Sequence, residues 1–208
     1  MKTIEAYNSW ANSYDTVENP TRVLDEKVVR IILNDINGKE IVEAGCGTGK
    51  NSIWFADNCK SLKAFDLSTE MLRIAKEKIT NSNTEFLNHD ITKPWPFEKE
   101  SCDLVSVNLI LEHIKNINFV FAEAFRILRV SGQLFVCELH PLKQKEGTVA
   151  RFNDKNSKKE IRLVSYYHTK ENFSKAGELT GFKKTKMDDQ YDDTNKNIPR
   201  LLSILLTK

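Results

Sequence analysis

Ile41-Val42-Glu43-Ala44-Gly45-Cys46-Gly47-Thr48-Gly49 carries a strand directly into three glycines at alternating positions. Residues 50–58 then read as a helix, so the glycines stand where a buried strand hands over to a helix. Only residues without a side chain let the backbone turn so tightly and let a ligand lie against its amides. The spacing selects among ligands. A dinucleotide fingerprint, G-x-G-x-x-G, would place its third glycine at position 50, where this chain has Lys50. A phosphate-cradling P-loop needs four residues between its first glycine and its Gly-Lys pair, and the stretch lacks that spacing.

The pattern around this turn is regular. Residues 62–66 read as a second strand, 68–81 as a helix with Ser68 as its N-cap, and 84–88 as a third strand. Lys93-Pro94-Trp95-Pro96 interrupts the chain before strand 102–108, because proline lacks the amide that a central ladder needs. A helix over 116–129 presents Ile117, Phe121, Ala124 and Leu128 on one side, and Ser131-Gly132 turns into strand 133–139. Such alternation predicts a parallel sheet with helices on its faces. Upstream, Tyr7, Trp10, Ala11 and Tyr14 fall at i, i+3, i+4 and i+7, which predicts a helix over 4–14 with an aromatic face. A second helix opens at Pro20-Thr21 and closes near Asn37-Gly38. Residues 142–160 are polar and lysine-rich without a period and read as an insertion. Helix 169–180 ends at Gly181; residues 182–190 and 198–206 follow as two strands, and so short a link implies an antiparallel hairpin.

Composition narrows the function. The 208 residues include 31 basic and 29 acidic side chains, a net charge of +2, so a nucleic-acid partner is not favoured. With 40% hydrophobic and 29% charged residues the chain reads as a globular domain. Cys46, Cys59, Cys102 and Cys137 lie far apart with no zinc spacing, which predicts reduced thiols and no metal. Met1-Lys2-Thr3-Ile4-Glu5 lacks a signal-peptide core, and no stretch approaches the roughly 20 apolar residues of a membrane span. The expectation is a cytoplasmic protein with no membrane partner. Lys155, Lys158 and Lys159 read as a solvated loop, and Asp188, Asp189, Asp192 and Asp193 as a solvated hairpin tip without calcium-loop spacing.

Two acids follow the glycines. Asp66 ends the second strand, at the edge where open α/β sheets bind ligands, and its carboxylate suits the two hydroxyls of a ribose. Asp90, in Asn88-His89-Asp90-Ile91, stands where a carboxylate and the next amide meet the edge of an adenine. Glu43, two residues before the first glycine, offers negative charge to an ammonium.

Glu-Ala-Gly-Cys-Gly-Thr-Gly at 43–49, Phe-Asp-Leu-Ser at 65–68, Asn-His-Asp-Ile at 88–91 and Asp-Leu-Val-Ser-Val-Asn at 103–108 together resemble the class I S-adenosylmethionine-dependent methyltransferases, in their usual order. The resemblance covers about residues 36–140. It implies a Rossmann-like αβα sandwich, its seven-stranded, mostly parallel sheet having an antiparallel last strand. One domain over 1–208 would then carry an N-terminal helical cap at 1–37 and a substrate-side insertion at 141–168. S-adenosylmethionine is the implied cofactor and S-adenosylhomocysteine the product. The resemblance places Gly45, Cys46 and Gly47 along the methionine part, Asp66 at the ribose, Asp90 and Ile91 around the adenine, and Leu67 on its face. The opening Tyr7-Asn8-Ser9-Trp10-Ala11-Asn12-Ser13-Tyr14-Asp15 is similar to that of many small-molecule members, whose first helix closes over the cofactor, with Tyr14 nearest it.

Methyl transfer needs the nucleophile held about 3–3.5 Å from the methyl carbon and in line with the breaking bond. An alcohol, phenol or protonated amine also needs a base. His140, ending the fifth strand, and His113, following the fourth, are the candidate bases, since imidazole titrates near neutrality. Asn108, at the end of the fourth strand, is expected beside the cofactor. Tyr7, Trp10, Arg151, Tyr167, His168 and Arg200 are the candidate acceptor contacts. Members that methylate base amines carry an Asn/Asp-Pro-Pro-aromatic tetrapeptide after strand four. This chain has Asn108-Leu109-Ile110-Leu111, which argues against base-amine methylation but does not exclude other RNA or protein methylation; the expected acceptor is an oxygen or nitrogen of a small metabolite. A nicotinamide oxidoreductase and a non-catalytic cofactor-binding module are the alternatives. The oligomeric state is not legible.

Overall fold

In the computed structural model residues 3–153, 160–193 and 196–208 are described. A seven-stranded sheet organises them. Strand β1 (Glu40–Ala44) pairs in parallel with β2 (Ser61–Asp66) on one side and β4 (Cys102–Asn108) on the other; β3 (Thr84–Asn88) lies beyond β2 and β5 (Leu128–Leu139) beyond β4. The hairpin β6 (Arg151–Asn153) and β7 (Glu160–Arg162) stands apart, while β8 (Lys183–Gln190) and β9 (Leu201–Thr207) complete the large sheet, β9 antiparallel to β5. The order is β3-β2-β1-β4-β5-β9-β8, with a reversal at β1 and β4 that opens a crevice at their carboxyl ends.

Both faces are covered because alternate strand residues are apolar in both directions. Val42, Ala44, Val105 and Val107 face α5 (Ile117–Ile127) and α7 (Lys170–Thr180), through Phe121, Ala124, Phe173 and Ala176. Ile41, Leu62, Leu104 and Phe135 face α2 (Pro20–Ile32), α3 (Lys50–Asn58) and α4 (Thr69–Lys78), through Val28, Phe55 and Leu72. Central strands buried on both faces read as apolar runs, which is why β4 and β5 stood out.

Helix α1 (Thr3–Tyr14) lies over the carboxyl edge, tied down by polar contacts. Ser68 Oγ donates to Asn8 Oδ1 at 2.6 Å, Arg73 to Asn12 at 2.7 Å, and Thr48 Oγ1 to Asp15 at 2.9 Å. Trp10 stacks on Phe152 with centroids 5.0 Å apart, so the hairpin of the insertion packs on α1. The aperiodic stretch 142–160 therefore contains the short α6 (Pro141–Lys145) and half of that hairpin. Lys155, Lys158 and Lys159 lie outside the described residues.

Three boundaries moved. Helix α2 stops at Ile32 rather than near Asn37, because the following Asn, Asp and Gly residues favour turns. Helix α5 ends at Ile127 and β5 begins at once, with Ser131 at φ 64° forming the kink read as a turn. Asp188 and Asp189 are not at a hairpin tip. They are paired in β8, and Asp189 binds Lys170 at 2.5 Å. The four cysteines are free thiols. Among the described residues no helix is long and apolar enough to cross a membrane, and no group of three metal-binding side chains occurs.

Candidate active site

A cavity of about 290 Å³ fills the crevice, walled by the glycine turn, the ends of β2 and β4, and α1. Gly45, Gly47 and Gly49 have φ of 78°, 55° and 81°, left-handed values that other residues rarely take. A Cβ on Gly45 would meet Ile110 Cδ1 at 2.4 Å, whereas one on Gly47 would meet nothing within 4 Å. Gly45 is thus demanded by packing, and Gly47 leaves main chain bare toward the cavity.

Asp66 braces this turn. Its Oδ2 accepts from the Gly47 amide at 2.9 Å and its Oδ1 from the Ser68 amide at 2.8 Å, leaving one lone pair on each oxygen for a ligand. Burial holds its carboxyl above the ordinary value in spite of those amides. Asp90 Oδ1 accepts from the Thr92 amide and hydroxyl, at 2.8 and 2.7 Å, so Oδ2 is the oxygen it has to offer. Leu67 is exposed on the same wall, and Ile91 is buried beneath it. His89 Nε2, also on this wall, is buried without a hydrogen-bond partner among the described residues.

Glu43 and Asn108 line the cavity differently from the sequence expectation. Glu43 is buried, takes a short hydrogen bond from Ser52 Oγ, and is pushed by burial up to about 8. Burial therefore opposes the negative charge expected there. Asn108 spends its side chain inside the protein: Nδ2 donates to Asp25 Oδ1 at 2.8 Å and Oδ1 accepts from Ser106 Oγ at 2.6 Å. Asp25 also takes Asn51 Nδ2 at 2.8 Å, so the network clamps α2 onto β4 and α3.

A second cavity of about 250 Å³ adjoins the first, and Tyr7, Tyr14, Arg22 and Leu109 belong to both walls. Trp10, Glu112, Arg151 and Arg200 line its remainder. At the shared wall the Tyr7 hydroxyl stands 2.9 Å from His113 Nε2, while His113 Nδ1 lies 2.8 Å from the Val164 carbonyl. A carbonyl only accepts, so Nδ1 carries the proton, and in the neutral ring Nε2 accepts from Tyr7. Burial raises the Tyr7 phenol well above its ordinary value.

Three expected contacts are not brought here. His140 lies outside both cavities: its Nδ1 accepts from the Leu142 amide at 3.1 Å as the cap of α6, and its Nε2 meets Asp189 at 3.2 Å. Burial holds its imidazole below the ordinary value, and with both ring nitrogens engaged away from the cavities it serves as a cap. His168 Nε2 contacts the Ile114 carbonyl at 2.8 Å and its ring abuts Phe173, which makes it a packing residue. Tyr167 is exposed beneath Lys145, 5.5 Å from the ring centroid. Conversely His89, Arg22, Asp25 and Glu112 escaped sequence reading. His89 alone had a signal, its place between two motif residues at the end of a strand.

A methyltransferase-domain family model matches residues 42–136. An uncharacterized methyltransferase of Emericella nidulans is 29% identical over 222 residues, covering 88% of this chain and 76% of that one. The solved S-adenosylmethionine-dependent methyltransferase of Mesorhizobium loti superposes with a TM-score of 0.75 at 16% identity, over 91% of this chain and 100% of that one. Residues 42–136 carry a methyltransferase domain, and the protein is an S-adenosylmethionine-dependent methyltransferase. S-adenosylmethionine is therefore the cofactor of this methyltransferase, which displaces the nicotinamide alternative. The demethylmenaquinone methyltransferase of Tropheryma whipplei is 31% identical over 108 residues, 50% of this chain. This methyltransferase spans only 44% of that relative's length. The cavity suits the cofactor on two structural grounds: bare main chain at Gly47, and an orphaned buried nitrogen at His89.

Proposed function

We infer that this methyltransferase moves the methyl group to an oxygen or nitrogen of a small metabolite, holding cofactor in the first cavity and acceptor in the second. The observation that carries this reading is the pair of cavities meeting at Tyr7, Tyr14, Arg22 and Leu109. Only at such a junction can a nucleophile from one chamber line up with a methyl presented by the other.

The cofactor supplies a methyl on a positively charged sulfur; the chain binds, orients and excludes water. Main chain at Gly45, Cys46 and Gly47 lies along the methionine part. Asp66 takes the ribose hydroxyls on its two free lone pairs. Asp90 Oδ2, the Ile91 amide and His89 Nε2 frame the adenine edge, and Leu67 covers its face. Glu43 ionises when an ammonium arrives, since an opposite charge restores what burial took away. Tyr14 and Tyr7 close the junction from α1, with Tyr7 held by His113. Trp10, Arg151 and Arg200 shape the acceptor chamber.

A chamber of about 250 Å³ walled by Arg22, Arg151, Arg200, Glu18 and Glu112 suits a small polar acceptor. Calorimetry with S-adenosylhomocysteine and with NAD tests the first chamber. Binding of the first alone is the expected result, and binding of NAD alone would overturn the assignment.

A further inference from the structure

We propose that the second cavity takes the methyl acceptor as a small organic anion bearing an amine or hydroxyl, with Arg22 and Arg200 holding its anionic end and Glu112 receiving its proton. The proposal rests on the functional reading above and narrows it to a substrate class.

Arg22 is 8% exposed. Its Nη1 donates to the Tyr14 carbonyl and its Nη2 to the Val17 carbonyl at 2.6 Å, and the guanidinium lies 4.1 Å over the Tyr14 ring. Among the described residues no carboxylate forms an ion pair with it. A guanidinium has five N–H donors and these two bonds occupy two, so a buried positive charge stands at the junction of the two chambers with donors to spare. Burying an uncompensated charge is costly, and an anion in the chamber relieves that cost. Arg200 stands beside it. Its Nη1 reaches Thr21 Oγ1 at 3.3 Å, and its Nε binds Asp192, which fixes the fork at the chamber wall.

Glu112 is also 8% exposed; burial raises its carboxyl above the ordinary value, against His113 and Gln144, and its Oε2 is buried with no hydrogen-bond partner among the described residues. Its surroundings are Tyr7 from α1, Glu138 from β5, Gln144 from α6 and its own neighbour His113. His113 Nε2 is 3.9 Å from Oε1, too far for a hydrogen bond, and is already occupied by Tyr7. Tyr7 is kept neutral by burial and His140 is elsewhere; of the two acids lining this chamber, Glu18 and Glu112, Glu112 is the one with a buried carboxylate oxygen still unsatisfied. A donor on the ligand satisfies it, and a hydroxyl or amine supplies that donor.

The step balances without a further reagent. A lone pair on the acceptor's oxygen or nitrogen forms the bond to the methyl carbon, and the methyl–sulfur bond breaks with its electron pair left on sulfur. The acceptor's proton passes to the Glu112 carboxylate and then to solvent.

The test uses the full chain with methyl-labelled cofactor and a deproteinised, low-molecular-weight metabolite extract, fractionated on an anion exchanger at high pH, where amines are neutral. Label is expected in the retained fraction. Glu112→Gln should lower kcat by roughly 100-fold while KM changes little, the size usual for a lost general base. Arg200→Gln should weaken calorimetric binding of the purified product to the protein saturated with S-adenosylhomocysteine by about 10-fold, as for one lost charged hydrogen bond. Label in the unretained or solvent-extracted fraction, including a methyl ester of the acid itself, overturns the proposal. So does Glu112→Gln with kcat within about twofold of wild type, for a residue assigned a general-base role. Protein that binds S-adenosylhomocysteine yet labels nothing overturns the small-molecule reading as well, and failure to bind it would strike the cofactor site instead.

Discussion

Replacing Glu43 with glutamine separates the cost of that carboxyl to the fold from its use to the ligand. The ordinary value is 4.5 and the buried side chain stands at about 8, raised first by desolvation and then by the charges of Asp25 and Asp66, against the Ser52 hydrogen bond. Between pH 4.5 and 7 the unfolded chain therefore ionises Glu43 while the folded chain keeps it protonated. The unfolded state releases the proton first, so wild-type stability falls as pH rises through this window and levels off above about 8. At about 1.4 kcal/mol per pH unit, the loss by pH 7 is about 3 kcal/mol. Glutamine has the same shape, can accept the Ser52 hydrogen bond and does not titrate. Glu43→Gln should match wild type near pH 4.5 and exceed it by about 3 kcal/mol at pH 7, in urea unfolding without ligand. Glu138, likewise raised to about 8 by burial, stays in both proteins and leaves a residual slope common to them. With S-adenosylhomocysteine present the order should narrow, since an ammonium favours the glutamate. A stability difference that is the same at pH 5 and pH 8 would refute the reasoning.

Two further substitutions bear on the site. Asp66→Ala should cost roughly 10- to 100-fold in S-adenosylhomocysteine affinity by calorimetry, the size of a lost hydrogen bond to a charged group, while circular dichroism shows the fold retained. Unchanged affinity would remove Asp66 from the ribose. His140→Ala should lower the urea midpoint through loss of a cap worth about 1 kcal/mol and leave kcat and its pH profile unaltered; a kcat loss with intact stability would restore it as a base.

The sheet was legible because its strands announce themselves in two ways. Leu104, Val105, Val107, Leu134, Phe135 and Val136 are apolar in succession, as strands buried on both faces must be, and Gly45, Pro94, Pro96 and Gly181 punctuate the chain between them. The β6–β7 hairpin was not legible. Each of its strands is three residues long, and what holds them is Phe152 stacked on Trp10 from a helix some 140 residues earlier in the chain. Local pattern carries no trace of a partner so remote. The kink at Ser131 was read as a strand boundary for a related reason: a left-handed residue looks like a turn whether or not the ladder resumes beyond it.

The candidate site divides along the same line. Spacing can place a residue at a strand end, and Asp66, Asp90 and Asn108 were found that way. It cannot tell whether the side chain is still unspent when the chain has folded. Asn108 arrives at the cavity with both polar atoms committed to Asp25 and Ser106, and His140 with both nitrogens committed to Leu142 and Asp189. Glu112 sits next to the more conspicuous His113, yet burial leaves one of its oxygens without a partner among the described residues. Arg22 reads as surface charge on the polar side of α2, and only the fold of residues 14–17 over it turns it into a buried cation. Chemistry at this crevice is decided by which polar atoms the core has failed to satisfy. That remainder is a property of three-dimensional packing, so histidines chosen by residue type and position were the weakest guide to it, and the orphaned nitrogen of His89 and oxygen of Glu112 are the better one.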